Sequence, residues 1–433
     1  MLVDCGLFQG YKQLRLRNWD PPPFDAASLD AVVLTHAHLD HTGYLPRLVA
    51  AGFRGKAYCT PATRDLLALL LPDSGHLQEE EARYAAKRGY SKHSPPRPLY
   101  TEAEARAALG CLNPAVWHEA LGVAPGMTVE FRPAGHILGA ASLIVSDGSA
   151  RIAFSGDVGR PNDALMRAPE PLPAVDALVI ESTYGDRRHE AVDPEAALGD
   201  AVRRAARRGG VLLIPAFAVG RAQLLTHYLA RLKAAGAIPG VPMYLNSPMA
   251  TDVSALYHRY RTEHRLSEAE CDAMCRVVEF VNAVDESIAL NRRNGPMVIV
   301  SASGMATGGR ILHHLRAFAP DERTIILLAG YQAAGTRGAA LLAGARSLRI
   351  HGIDVPVNAE VRQLPAVSGH ADADELLGWL GAGGPPRRVF VTHGEPAAAD
   401  ALRVRIERAY GWGTTVPDFR DCMTIEAVAE RTG

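Results

Sequence analysis

Thr35-His36-Ala37-His38-Leu39-Asp40-His41-Thr42-Gly43 sets four potential metal ligands, His36, His38, Asp40 and His41, within six residues. Ahead of it, Ala31-Val32-Val33-Leu34 is apolar and largely β-branched, which predicts a buried strand. Side chains two apart at a strand's end lean the same way, so His36 and His38 can share one ion. The chain then turns, and Asp40 and His41 open a helix aimed at a second ion beside the first. Imidazole and carboxylate ligands suit zinc best, and iron or manganese is also compatible with such a site. The bland alternative is a solvated polar turn. The downstream sequence decides against it, because the partners a two-metal site needs follow in order.

The 433 residues leave room for two or three domains, and 48% apolar with 21% charged content is ordinary for a soluble globular chain. A formal net charge of −1 excludes a surface coated in base, so a nucleic acid would have to be met by a local groove and bound metal. Cysteines 5, 59, 111, 271, 275 and 422 form no disulfide framework, which fits a reducing cytosol and a cytoplasmic location. No apolar run approaches a membrane span, and Met1-Leu2-Val3-Asp4 lacks the basic start of a signal peptide.

Leu2-Val3-Asp4-Cys5-Gly6 reads as a strand end with a carboxylate at its tip. Asp4 either orients a metal ligand from behind or closes a turn before Gly6. After the His/Asp cluster a helix is expected over 44–51, a strand over 56–59 and a second helix over 61–71, capped by Thr60. Residues 72–98 turn polar and charged and read as a partly helical surface insertion. Strands over 127–131, 142–146 and 151–154 form an antiparallel run. Between them His136 sits in a glycine-flanked loop, and Asp157 and Glu181 each follow a strand tip.

From about 194 to 335 helices alternate with short apolar strands, which predicts a largely parallel, doubly wound sheet. Its strands end in loops of small residues, at 215–218, 246–249, 301–305 and 330–332, where ligands of such sheets bind. Gly308-Gly309 lead into a helix at Arg310, so free backbone N–H groups there could hold a phosphate. The tail returns to the first pattern, with His370 and His393 beside glycines at strand ends.

One ion would take His36, His38 and His136, the other Asp40, His41 and His393, with Asp157 between them. Such a pair holds one hydroxide at neutral pH and neutralises charge in a displacement at phosphorus.

This ordered set, His36-Ala-His38-Leu-Asp40-His41, His136, Asp157 and His393, resembles the metallo-β-lactamase superfamily, and Glu181, His370 and His393 match three further motifs of its β-CASP branch. The chain is similar to bacterial and archaeal relatives of the endonuclease subunit of pre-mRNA 3′-end cleavage machinery. The resemblance implies an αββα sandwich from residues 1–183 and 369–433, with a doubly wound α/β β-CASP domain inserted over 184–368. It implies two zinc ions and a single-stranded RNA substrate, since the last motif is His in RNA-acting members. It is compatible with a homodimer, and with both endonucleolytic and 5′-to-3′ exonucleolytic action, which share one centre.

By motif, His370 would protonate the leaving 3′ oxygen and Glu181 would orient it, giving 5′-phosphate and 3′-hydroxyl products, with Asp40 also in the catalytic group. Ser247, Ser303, Gly304, Tyr331, Gln332, Thr336 and Ser368 would line the phosphate track, with Arg310 as a basic contact. The sequence departs from the family in lacking a hairpin before Asp4, so one sheet edge is expected to be short unless upstream residues are missing. It also lacks the extra domains many relatives carry, so substrate selection would rest on the core or on a partner protein. A small-molecule hydrolase would need neither the insertion nor the Glu181/His370 pair. A di-iron oxidoreductase usually has Glu at the place of His38, and a non-catalytic scaffold would have lost ligands.

Overall fold

The computed structural model describes residues 1–88, 93–364 and 367–425. Among these, short parallel strands Leu2–Val3, Ala31–Val33, Lys56–Cys59 and Leu112–Pro114 form one sheet. A seven-stranded sheet faces it, in the order Gly413–Thr415, Arg388–Val391, Ala177–Ile180, Arg151–Phe154, Ala141–Ser146, Met127–Pro133 and Leu121–Ala124. Strand alternation builds the layers. Ala31 and Val33 point with Tyr58 into the space between the sheets, against Val129, Phe131, Leu143 and Val145. Val32 and Leu34 point the other way, onto Leu45, Leu48, Leu66 and Leu67 of the helices Leu45–Ala50 and Pro61–Arg88. The outer face of the larger sheet offers Leu178, Ile180, Val389 and Val391 to the helices Ala373–Ala382 and Pro396–Tyr410. The result is the helix–sheet–sheet–helix sandwich.

Between Ile180 and Val211 the chain leaves this sandwich, and it is back in the larger sheet at Arg388. The intervening stretch forms a six-stranded, wholly parallel sheet with Val211–Pro215, Met297–Ser301 and Ile325–Ala329 among its inner strands. These strands are buried on both faces, which is why they read as continuous apolar runs rather than alternating ones. Leu212 and Ile214 meet Val202, Leu225 and Leu229 on one side, while Leu213 and Ile299 meet Ile311, Leu315 and Phe318 on the other. That is a doubly wound α/β sheet. No helix among the described residues is long and apolar enough to cross a membrane.

The structure corrects one element. The helix expected to stop at Leu71 continues through Pro72 to Arg88. Proline removes one intrahelical bond, but the far half is held from outside. Ser74 bonds the Tyr100 hydroxyl at 2.7 Å, Gln78 Oε1 accepts from Leu99 N at 3.1 Å, and Glu79 accepts from Glu102 N at 3.2 Å. The segment 72–98 is therefore mostly anchored helix and return, with residues 89–92 outside the described residues. At its end a capping box forms, Thr101 and Glu104 bonding reciprocally.

Candidate metal and catalytic site

Strand ends deliver the site. The chain leaves Ala31–Val33, and His38 caps the short helix Leu39–Thr42. Gly6 permits the strand Leu2–Val3 to run on against this loop, since a Cβ there would lie 1.4 Å from the Asp40 carbonyl oxygen. Two residues earlier, Asp4 accepts hydrogen bonds from Thr35 N (2.8 Å), Thr35 Oγ1 (2.8 Å) and His41 Nδ1 (2.7 Å). The Asp4 carboxylate thus ties the Thr35 and His41 side chains together.

The ligand atoms of His36, His38, His136 and Asp157 lie within 4.8 Å of one another, as do those of Asp40, His41 and His393. Asp157 faces both groups. Its Oδ2 is 3.4 Å from His36 and 3.5 Å from His136, and its Oδ1 is 3.3 Å from His41 and 3.5 Å from His393. The carboxylate is 2% exposed, and Oδ1 has no hydrogen-bond partner.

Three rings have their outer nitrogen committed. His41 Nδ1–H donates to Asp4, and His136 Nδ1–H donates to the Gly369 carbonyl at 2.9 Å. Thr35 Oγ1 gives its hydrogen to Asp4 and so accepts from His36 Nδ1 at 3.1 Å. A neutral imidazole donates through one nitrogen and accepts through the other, so each of these three rings turns an Nε2 lone pair inward. His393 is placed differently, its Nδ1 lying 3.5 Å from Asp157 Oδ1 and 3.3 Å from Thr183 Oγ1, which donates to the His393 carbonyl. There His41 Nε2 and His393 Nε2 face each other at 2.9 Å, and His38 Nδ1 is 3.1 and 3.2 Å from the Nε2 atoms of His36 and His136. Lone pairs so placed repel unless positive charge lies among them.

The electrostatics state the same demand. Burial pushes His36 and His136 well below the ordinary imidazole range and His38 down to about 4, which leaves them neutral. Against burial, His393, His41 and His36 hold Asp157 well below the usual carboxylate range. Against burial, Asp157 and Asp4 raise His41, and Asp157 and Asp40 raise His393 to about 9. Enclosed carboxylate, inward lone pairs and an orphaned oxygen are a donor set that fits bound metal ions.

Beside this centre His370 Nδ1 lies 3.2 Å from both oxygens of Glu181. Glu181 is 1% exposed and is fixed by Val158 N (2.7 Å) and Thr183 N (3.2 Å). Burial lowers the pKa of His370, but Glu181 and Asp157 more than offset it and raise it overall. The His370 ring stands 4.4 Å from that of His136, centroid to centroid.

The residues expected along a phosphate track divide. Tyr331 donates to Glu395 at 3.0 Å, and Gln332 donates to the Gly304 carbonyl at 3.2 Å. Gly304 presses on Phe217, whose ring is 6.4 Å from His38. Ser368 Oγ accepts the His370 N–H at 3.2 Å. Ser247 and Thr336 cap helices, accepting from Ala250 N and Ala339 N. Two expectations need correcting. Arg310 is not a free basic contact, because it donates to Asn246, Val281 and Asn282 and so braces the sheet. The N–H groups of Thr307 and Gly308 are not free either, since both donate to Ser303 Oγ.

The sequence reading missed the ring-nitrogen partners Thr35, Thr183 and Gly369, and also His189, which bonds the His370 carbonyl at 2.9 Å. A hydroxyl or a carbonyl carries no distinguishing signal, though His189 could have been noticed as one more histidine after Glu181.

Residues 1–216 match the beta-lactamase superfamily domain, 222–341 the Beta-Casp domain, and 354–417 the Zn-dependent metallo-hydrolase RNA specificity domain. The chain is 37% identical to Ribonuclease TTHA0252 of Thermus thermophilus over 93% of its own length and 89% of that protein's. It is 31% identical to Transcription termination factor FttA of Methanocaldococcus jannaschii over 98% of its own length and 68% of that protein's.

Proposed function

The chain belongs to the β-CASP branch of the metallo-β-lactamase superfamily and is a hydrolytic nuclease of that branch; from that premise we propose that it binds two zinc ions and cuts single-stranded RNA, leaving 5′-phosphate and 3′-hydroxyl ends. His36, His38 and His136 would hold one ion and Asp40, His41 and His393 the other, with Asp157 shared. Bound there, the ions supply a water activated at neutral pH and neutralise charge on the phosphate oxygens. The observation that carries this reading is the convergence of His36, His136 and His41 Nε2 and His393 Nδ1 on the two oxygens of Asp157, beside the Glu181–His370 pair.

This chain's residues do the rest. With Nδ1 turned to Glu181, His370 presents Nε2 to the substrate and holds a proton there for the leaving 3′ oxygen. Glu181, denied other freedom by Val158 and Thr183, keeps the ring in that orientation. Tyr331 and Gln332, on one loop of the inserted sheet, and Ser303-Gly304 on the next form the wall against which the strand is aligned.

Elemental analysis of the purified protein is expected to find about two zinc ions per chain, and chelation to abolish cleavage of a labelled RNA. The same protein should cut RNA faster than single-stranded DNA of equal sequence; the opposite preference would refute the RNA reading. Asp4→Asn is expected to weaken metal retention about 10–100-fold in a chelator titration, because an amide cannot accept from both Thr35 and His41 as the carboxylate does. Unchanged retention would show that His41 needs no such support.

A further inference from the structure

Among the described residues, Arg221 is a cation without a counter-ion. It opens the helix Arg221–Ala234, after Gly220 at φ 76°, and no side chain caps that end. The residue is half-buried, and its Nε is sealed from solvent with no hydrogen-bond partner among the described residues. Among the described residues no carboxylate stands within ion-pair distance of it. Asp163, the acid whose field it feels, has its Oδ1 engaged by Leu165 N and Met166 N at 2.7 Å. Arg160, the other cation whose field reaches it, opposes its charge. A sealed cationic nitrogen left unpaired is unfavourable, so its retention calls for a ligand that arrives with the opposite charge.

Its position says which ligand. Gly330 lies over the guanidinium, so closely that a Cβ there would be 3.3 Å from one of its terminal nitrogens. Gly330 begins the loop that carries Tyr331 and Gln332. Gly220, next in the chain to Arg221, abuts Ile137, the neighbour of His136. Tyr184, whose ring is 5.8 Å from that of Tyr331 and 6.2 Å from that of His370, shares the field of Arg221. The guanidinium therefore lies at the junction of the sandwich and the inserted sheet, on the side of the site where Tyr184 adjoins His370. The first two N–H groups of the helix are taken by Val219 O and Phe217 O, so the side chain is the donor and the helix end adds a favourable potential.

We infer that Arg221 is a phosphate clamp, and that it holds the backbone phosphate flanking the scissile one on the side of the leaving 3′ oxygen. The inference rests on the RNA reading above and adds a contact to it. A planar guanidinium meets two phosphate oxygens at once, as an ammonium does not.

The test is a set of RNAs, each with one backbone phosphate replaced by a neutral methylphosphonate on a 2′-O-methyl sugar, against matched 2′-O-methyl controls. In the wild-type protein the linkage one nucleotide 5′ to the cut is expected to cost about tenfold or more in kcat/KM. In Arg221→Gln that one penalty should vanish while penalties elsewhere persist. The slope of log affinity against log salt should fall by about 0.7. Arg221→Lys should recover the salt slope and only part of the kcat/KM. Metal content of each variant reports whether the site is still assembled, and the wild-type map stands even if a variant is lost. Should the wild type cut the parent RNA with no penalty at that linkage, or the variant keep it, the clamp is overturned alone. Should the wild type fail to cut the parent RNA, the RNA reading itself falls.

Discussion

His370→Ala is expected to lower kcat for RNA cleavage by about 10²–10⁴-fold while the protein keeps its metal. The ring stands farther from Asp157 than the four proposed ligand rings do; its contact to Asp157 Oδ2 is 3.9 Å, and its nearer partner is Glu181 at 3.2 Å. What it offers is a proton on the atom turned away from Glu181. An alkoxide leaving from phosphorus is a strong base and needs that proton, whereas a thiolate does not. An RNA with sulfur in place of the 3′ bridging oxygen at the cut should therefore be cleaved by His370→Ala at close to the wild-type rate. If the sulfur substrate shows the same deficit as ordinary RNA, His370 is not the proton donor. If the variant loses metal, His370 belongs with the ligands. Glu181→Gln should give a smaller loss, because an amide oxygen can still accept from Val158 N but no longer favours the protonated ring.

The clustering of the candidate ligands was legible from sequence for a physical reason. Histidine and aspartate at strand tips between glycines are costly to place and seldom gathered by chance, so His36, His38, His136, Asp157 and His393 announced themselves though they are scattered along the chain. The two sheet types were legible too, since the strands of the sandwich differ in patterning from the doubly buried strands around Ile214, Ile299 and Ile326. What stayed hidden depends on partners far along the chain. Pro72 read as a helix stop because nothing local shows that Tyr100 and Leu99 return to hold the next turns. Arg310 read as a free base because its acceptors are two carbonyls and an amide on other segments. Arg221 passed unnoticed for the converse reason, as only the folded molecule shows an arginine whose Nε lacks a partner among the described residues.

Asp157→Asn is expected to reduce bound metal below about one ion per chain and to cut cleavage by about a thousandfold or more, since several kcal/mol of transition-state stabilisation go with the metal. No other side chain of the site faces both ligand groups, with one oxygen 3.4 and 3.5 Å from His36 and His136 and the other 3.3 and 3.5 Å from His41 and His393. An amide has nearly the same shape, so the folded chain should persist, but it carries no charge and presents an NH₂ to one of the groups. Four imidazoles would then surround a neutral group, and repulsion between like divalent charges would no longer be offset between them. Asp157→Glu separates charge from geometry, keeping the carboxylate and shifting it by one methylene within a pocket where the side chain is 2% exposed. It should recover metal binding more than cleavage. Retention of two ions and full activity in Asp157→Asn would mean that the two histidine groups hold their cations independently, and that the buried carboxylate serves only to fill the space between them.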